Sequence, residues 1–230
     1  MIPLRDNIPS RRRPYMTYAI IGVNCLIFFL ELSSGPRLPE VVQTLGFVPA
    51  RFLALLGHGS LALAVIPVFT SMFLHAGWLH LIGNMWTLFI FGDNVEDTLG
   101  RGPFLLFYLL SGLASLLVFL LFGPGARTPL VGASGAIAGV MGAYFSLFPG
   151  ARVLTLVPIF IVFTIIELPA FVFLGFWFVL QFFQGAFTIV GQTAEGGVAW
   201  WAHVGGFLAG VGLIRLFAPG RARNPLSRRI

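Results

Sequence analysis

The sequence has few charged residues, a single cysteine and no lysine. Charged residues make up 10% of the 230 residues, whereas about 25% is usual in a soluble domain, so charge is too scarce to cover a soluble surface of this size. The lone Cys25 excludes a disulfide framework, a cysteine-based zinc site and a redox pair within the chain. A hydrophobic fraction of 57% excludes a disordered chain. These features together predict a membrane protein.

Long apolar stretches predict six membrane-spanning helices, since a spanning helix needs about 20 mostly apolar residues. They cover residues 15–32, 78–91, 103–122, 133–148, 170–187 and 200–217, and clusters of glycine and proline separate them. We therefore predict an all-α polytopic membrane protein with a single domain. It consists of a basic N-terminus at 1–14, a six-helix core at 15–218 and a basic tail at 219–230.

Two apolar segments are too irregular for a simple span. Residues 38–69 are interrupted by Pro49, Gly57, Gly59 and Pro67, which predicts a first loop with interfacial or re-entrant helix. Residues 153–166 are short for a span and contain Pro158. They are expected either to extend the fourth helix or to lie at the membrane surface.

Arginine is concentrated at the two ends of the chain, from Arg11 to Arg13 and from Arg215 to Arg229. The positive-inside rule then predicts that both termini are cytoplasmic, which requires an even number of spans. Attraction to anionic lipid explains the basic tail better than nucleic-acid binding does, because aromatic residues are not interleaved with the arginines. We expect contact with the bilayer and not with nucleic acid.

Polar residues near the starts of three predicted spans form a candidate site. His80 and Asn84 share one face of the second helix, Ser134 begins the fourth and His203 lies in the first turn of the sixth. These helices run in the same direction, so the polar residues lie at a similar depth. Polar groups inside a bilayer cost a few kcal/mol unless they are paired, which marks each as a site hypothesis.

Small residues form a stripe on the fourth helix and another on the sixth, where they allow close helix packing in lipid. The stripes are Gly135, Gly139 and Gly142, and His203, Gly206 and Gly210. Close packing of these helices predicts that Ser134 lies beside His203. The alternative, that both stripes serve only packing, explains the glycines but not the histidine.

The residue types indicate acyl-transfer chemistry. A serine hydroxyl becomes a good nucleophile when a neighbouring base such as a neutral histidine takes its proton. The backbone N–H of Ser134 at a helix start, with Asn84 and His80, would supply donors for an oxyanion. We find no acid well placed for a triad and interpret Glu195 as a solvated loop charge. A zinc protease is excluded because no histidine is followed by glutamate.

The motifs resemble those of the rhomboid family of intramembrane serine proteases over about residues 69–216. They are His75-x4-His80-x3-Asn84, Gly132-Ala133-Ser134-Gly135 and Ala202-His203-Val204-Gly205-Gly206-x3-Gly210. The resemblance implies a six-helix core in a prokaryotic plasma membrane and cleavage of single-span membrane proteins. It also implies that the protein uses no cofactor and no metal.

By the same resemblance, Ser134 is the nucleophile, His203 is the general base and acid, and Asn84 and His80 form the oxyanion hole. Structural roles near the site fall to His75, Gly132, Gly135, Gly206 and Gly210. Glu96 resembles an acidic residue of the family that ties loops together at the cytoplasmic face.

The chain departs from the family pattern at two places. Ile66-Pro67 stands where many members have Trp-Arg in the first loop, and Ala138 stands where some have an aromatic residue against the catalytic histidine. Another group, from the fifth or sixth helix, is then expected to hold the imidazole of His203.

Two other functions compete with a protease. A catalytically inactive relative that binds membrane proteins would typically lack the nucleophile or the base, and both are present here. A transporter or channel would also place His and Asn inside the membrane, but such proteins often contain inverted repeats and we find none in this sequence.

Overall fold

The computed structural model of the chain describes residues 1–159, 162–190 and 198–219. Glu195 and the arginines from Arg221 to Arg229 lie outside these residues. The described part contains β1 (Ile2–Asp6), α1 (Tyr15–Ser33), a 3-10 turn (Gly35–Arg37), α2 (Leu38–Leu45), α3 (Pro49–Gly57), α4 (Leu61–Thr70), α5 (Trp78–Leu99), α6 (Arg101–Phe122), α7 (Ser134–Leu147), β2 (Arg152–Ile159), β3 (Val162–Pro169), α8 (Ala170–Val190) and α9 (Val198–Phe217). The predicted polytopic membrane fold is confirmed as a mostly helical one with a small three-stranded sheet in addition, and the six predicted spans correspond to α1 and α5–α9.

Four of the described helices are long and apolar enough to cross a membrane: α1, α6, α8 and α9. The other two predicted spans differ from these in different ways. Helix α5 has 22 residues but includes histidine, asparagine and acidic side chains. Helix α7 has only 14 residues, a length of about 21 Å, which is less than the roughly 30 Å of a hydrocarbon core. Because nearly every residue of α7 is buried, the surrounding helices enclose it.

Glycine sets how closely α7 approaches α9. A Cβ atom on Gly206 would collide with the carbonyl of Gly135, and one on Gly210 would collide with the carbonyl of Gly139. The two glycine stripes therefore face each other and bring the backbones into contact. This contact places the first residue of α7 beside the early part of α9.

The first loop folds into three short helices, α2 to α4, and is fastened by an arginine. The guanidinium of Arg51 donates hydrogen bonds to the carbonyls of Thr44 (3.0 Å), Gly46 (2.7 Å) and Gln43. Backbone bonds between Phe47 and Leu130 then join this loop to the segment that precedes α7. Arg51 thus anchors the loop in a chain that lacks the family's Trp-Arg pair.

The segment at 153–166 corrects an expectation from the sequence. It does not extend the fourth helix, because β2 and β3 pair as an antiparallel hairpin and β1 adds to the free edge of β2. The alternative expectation, that it lies at the membrane surface, stays a prediction. Residues rich in Val, Ile, Thr and Phe favour strands once partners are available. The partner here is the N-terminal segment, whose composition predicts only a basic terminus.

Carboxylates fasten the end of the bundle where α5 ends and α1 begins, which we call the acidic end. Glu96 accepts hydrogen bonds from the backbone N–H of Met16 (3.0 Å) and from the backbone N–H (2.7 Å) and hydroxyl (2.8 Å) of Thr17. A carboxylate at these free N–H groups also complements the helix dipole of α1. Nearby, the hydroxyl of Ser10 donates to Asp93 and that of Tyr144 donates to Asp6.

Candidate active site

Ser134 and His203 meet at the other end of the bundle, which we call the dyad end. Ser134 is the first residue of α7, and His203 lies near the start of α9. The distance between the Ser134 Oγ and the His203 Nε2 is 2.8 Å, which is a hydrogen bond. Residues 69 positions apart in the sequence are thus held in the geometry in which an imidazole can take a hydroxyl proton.

The other nitrogen of the His203 ring is bound by a residue that the sequence analysis missed. The Nδ1 of His203 lies 2.7 Å from the side-chain oxygen of Gln181 on α8. An amide oxygen accepts but does not donate, so this contact places the ring proton on Nδ1. The Nε2 atom then carries the lone pair that faces Ser134.

Two tryptophans lie beside the imidazole of His203, in a chain whose residue 138 is a small alanine. The rings of Trp177 and Trp200 both lie 6.0 Å from the His203 ring, measured between centroids. Trp177 precedes Gln181 by one helical turn, so the two share a face of α8. The sequence predicted that the fifth or sixth helix supplies a group that holds the imidazole of His203. Trp177 lies on the fifth, α8, and Trp200 lies on the sixth, α9. The signal available in the sequence was a glutamine one turn after a tryptophan in an otherwise apolar span.

His80 and Asn84 lie on the face of α5 that lines the same cavity as Ser134. The side-chain nitrogen of Asn84 is buried and has no hydrogen-bond partner among the described residues. The backbone N–H of Ala76 lies 3.4 Å from the His80 Nδ1, which favours the tautomer with its proton on Nε2. Both side chains therefore have a donor available at the cavity.

Gly132 is needed where the chain passes His80. Its φ of +127° lies in a region that side chains rarely adopt. A Cβ atom at this position would lie 2.7 Å from the His80 Cε1 and 2.8 Å from its Nε2. Any larger residue would displace the imidazole, so Gly132 fixes the distance between His80 and the start of α7.

His75 is placed outside the cavity lining and is bound by a second residue that the sequence analysis missed. The buried Glu31 on α1 accepts the backbone N–H of His75 at 3.1 Å and 3.3 Å through its two oxygens. The His75 ring packs against the His80 ring with centroids 5.2 Å apart. Glu31 therefore orients the turn that leads into α5. An acidic residue inside the first predicted span was the available signal.

The cavity at the dyad end has a volume of about 320 Å³. Residues of α5, α7, α8, α9 and β1 line it, including Asn84, Ser134, Gln181, His203 and Pro3. Within the described residues, no group of three or more His, Cys, Asp or Glu side chains is placed to hold a metal ion. The fold and this site define a polytopic membrane protein with a Ser–His pair beside unpaired hydrogen-bond donors.

Comparison with known proteins identifies the family. The sequence model of the Rhomboid domain matches residues 63–220. The chain is 35% identical to the Rhomboid protease GluP of Bacillus subtilis over 132 residues, which cover 57% of this chain and 24% of that protein. It is 28% identical to the RHOMBOID-like protein 6, mitochondrial, of Arabidopsis thaliana over 89% of this chain and 70% of that protein. The chain belongs to the rhomboid family.

A third relative, the Rhomboid protein 1, mitochondrial, of Saccharomyces cerevisiae, is 30% identical over 62% of this chain and 39% of that protein. The chain thus spans well under half the length of two of these three relatives. The relatives include a bacterial protein and mitochondrial ones, so they agree on a rhomboid membrane protein without selecting one membrane.

Proposed function

We propose that this protein is a serine endopeptidase that hydrolyses peptide bonds in or near the transmembrane segments of single-span membrane proteins. The observation that carries the proposal is the 2.8 Å hydrogen bond between the Ser134 Oγ and the His203 Nε2. The name of the relative GluP, which identifies it as a protease, supports the same reaction class.

In the first half of the proposed reaction, the His203 Nε2 takes the Ser134 proton while the Oγ attacks the scissile carbonyl carbon. The negative charge that develops on the carbonyl oxygen is stabilised by the Asn84 amide, the His80 Nε2–H and the backbone N–H of Ser134. The imidazolium then gives its proton to the leaving amine as the C–N bond breaks. An acyl-enzyme on Ser134 remains.

In the second half, water attacks the acyl-enzyme carbonyl and gives a proton to the His203 Nε2. The same donors stabilise the second oxyanion, and His203 returns the proton to the Ser134 Oγ as the ester breaks. Gln181 accepts the Nδ1–H throughout and keeps the ring oriented. The carboxyl product and the free enzyme result.

The substrate class and location are part of the proposal. Rhomboid resemblance supports single-span substrates cut near the outer face, and the arginine distribution supports a plasma membrane with Arg11 to Arg13 and the end of α9 on its cytoplasmic side. The cavity that contains Ser134 is lined by α5, α7, α8, α9 and β1. It offers room for a short extended peptide segment.

The test is cleavage of a tagged single-span substrate in proteoliposomes by the wild type, Ser134→Ala and Ser146→Ala. Ser146 is a matched control because it lies on the same helix and its hydroxyl binds the Gly142 carbonyl. We expect cleavage and labelling by a fluorophosphonate in the wild type and in Ser146→Ala, and neither in Ser134→Ala. Equal cleavage by Ser134→Ala would refute the nucleophile. Substrate capture without cleavage or labelling by the wild type would favour the inactive binder.

A further inference from the structure

The N-terminal strand β1 runs along α5 from the acidic end towards the dyad. At one end Asp6 receives a hydrogen bond from Tyr144. Towards the other end the carbonyl of Pro3 accepts a hydrogen bond of 2.6 Å from the Trp86 indole, about halfway along α5. The three residue steps from Asp6 to Pro3 span about 10 Å of extended chain. The strand therefore points its first residues at the site.

Pro3 of this strand, and Met1 just before the strand, enter the lining of the cavity at the dyad end. Met1 and Pro3 share that lining with Asn84, Ser134 and His203. A segment of the protein's own chain thus occupies space next to the dyad. The hydrogen bonds that join His203 to Ser134 and to Gln181 do not involve this segment.

The sheet that contains β1 lies against α5 on one side and leads into the start of α8 on the other, and both helices line the cavity. Its strand order is β1-β2-β3, with β1 against α5 and with β2 and β3 against α8. A peptide that approaches the dyad between α5 and α8 meets this sheet. The edge of β2 that β1 covers presents backbone groups suited to pairing with any extended segment.

The contacts that hold the first residues of β1 are few. Ile2 and Met1 are 51% and 42% exposed, and the pairing with β2 is irregular between Pro3 and Arg5. Pro3 has no N–H and contributes only its carbonyl. By contrast, Asp6 at the far end of the strand is hydrogen-bonded to α7. The strand is thus anchored at one end and weakly held at the other.

We propose that α5 and the β2 edge form a surface that binds an extended peptide segment, that β1 occupies this surface in the resting protein, and that a substrate segment must displace β1 to reach Ser134. This inference rests on the proposed protease function. It makes β1 an intramolecular competitor, which raises the apparent KM by the reciprocal of the fraction of protein in which the surface is uncovered.

One experiment locks the strand in place. In a Cys25→Ser background, Ile2→Cys and Leu156→Cys introduce cysteines at residues paired across β1 and β2. Opposite residues of antiparallel strands lie about 4.5–5.5 Å apart at Cα, within the range of a disulfide. We expect oxidation to lower cleavage of the tagged single-span substrate at least about 10-fold and reduction to restore it. The Ile2→Cys protein without the second cysteine is the control for oxidation itself.

A second experiment releases the strand. Trp86→Phe removes the donor to Pro3 and keeps an aromatic ring, while deletion of residues 2–4 removes the part of the strand near the dyad and keeps Asp6. We expect both to lower KM, by about threefold to tenfold, with kcat unchanged. Trp78→Phe makes the same chemical change two turns nearer the start of α5, where the ring packs on Phe28 and Phe29, and should leave KM unchanged.

A small fluorophosphonate separates this inference from the proposed function. Locked protein should still be labelled at Ser134, because the probe is far smaller than a transmembrane segment. Locked protein that is labelled and also cleaves the substrate at the reduced protein's rate would overturn this inference alone. Protein that is neither labelled nor active when unlocked would overturn the protease proposal, and this inference with it.

Discussion

The two ends of the helical bundle use buried polar residues in opposite ways. At the acidic end, Glu96 receives three hydrogen bonds from Met16 and Thr17. At the dyad end, the buried amide nitrogen of Asn84 has no partner among the described residues and faces a cavity. A buried group whose hydrogen bonds are satisfied fastens the fold, whereas an unpaired buried donor is costly and calls for a functional explanation.

Two asparagines on α5 show the contrast in their amide nitrogens, although the Oδ1 of Asn94 also has no partner among the described residues. Asn94 donates a hydrogen bond of 2.9 Å to the Ile8 carbonyl and so ties the N-terminal segment to the acidic end. Asn84 lies ten positions earlier on the same helix and keeps its amide free beside Ser134. The same side chain is therefore structural at one end and available for catalysis at the other.

The largest expected effect separates the two ends by activity. His203→Ala should lower kcat/KM by about 10⁴-fold or more, because it removes both the base and the acid. Its unfolding temperature should stay near that of the wild type, measured by thermal unfolding in detergent. Glu96→Gln is the counterpart at the acidic end, and we expect it to lower the unfolding temperature while activity at a permissive temperature stays within a few fold. An active but destabilised His203→Ala protein, or an inactive Glu96→Gln protein with the wild-type unfolding temperature, would contradict this difference between the two ends.

The asparagine pair gives the next largest effect. Asn84→Ala should lower kcat by about 10-fold to 10³-fold with little change in KM, since an oxyanion donor acts mainly in the transition state. Asn94→Ala should instead lower stability by about 1–3 kcal/mol, because the Ile8 carbonyl loses its donor. Steady-state kinetics and denaturant unfolding of both variants test this. An Asn84→Ala protein with unchanged kcat would remove Asn84 from the oxyanion hole.

Variants of Gln181 test whether this residue orients the imidazole of His203. Gln181→Leu removes the acceptor for the His203 Nδ1–H, and we expect kcat to fall about 10-fold to 100-fold, with slower fluorophosphonate labelling and an unchanged KM. Gln181→Glu keeps an acceptor oxygen at that position and should recover most of the labelling rate. Equal losses in both variants would indicate that the residue serves packing rather than orientation of the imidazole.

The sequence predicted the features that depend on local pattern. Apolar stretches indicated six helices, although α5 also carries polar side chains and α7 is short, and glycine spacing beside Ser134 and His203 indicated which helices pack together. Gln181 and Trp177 were not predicted as site residues, because their contact with His203 depends on how α8 rotates against α9. The strands were missed because β1 and β2 are far apart in sequence, and a short apolar run does not distinguish strand from helix before its partner is known.

The smallest expected effect concerns the anchored end of β1. Burial raises the pKa of the Asp6 carboxyl from 3.8 to about 6, with the Tyr144 hydroxyl opposing the shift and the nearby Asp93 adding to it. From the sheet, Arg152 and Glu167 line the same pocket as Asp6. The folded protein therefore holds a proton that the unfolded chain has already lost between about pH 4 and pH 6.

The sign of the pH dependence follows from this proton. The contribution of Asp6 to stability is complete below about pH 4 and is lost as the pH rises through about 6. The carboxyl is partly solvated, so we expect a modest effect of about 2 °C in the unfolding midpoint. Asp6→Asn stays neutral at every pH, and its midpoint should fall less than that of the wild type between pH 5 and pH 7.5. Asp97→Asn removes a carboxylate from the same end without touching β1 and should keep the wild-type dependence. A parallel pH dependence in the wild type and Asp6→Asn would show that the anchor of β1 does not titrate in this range.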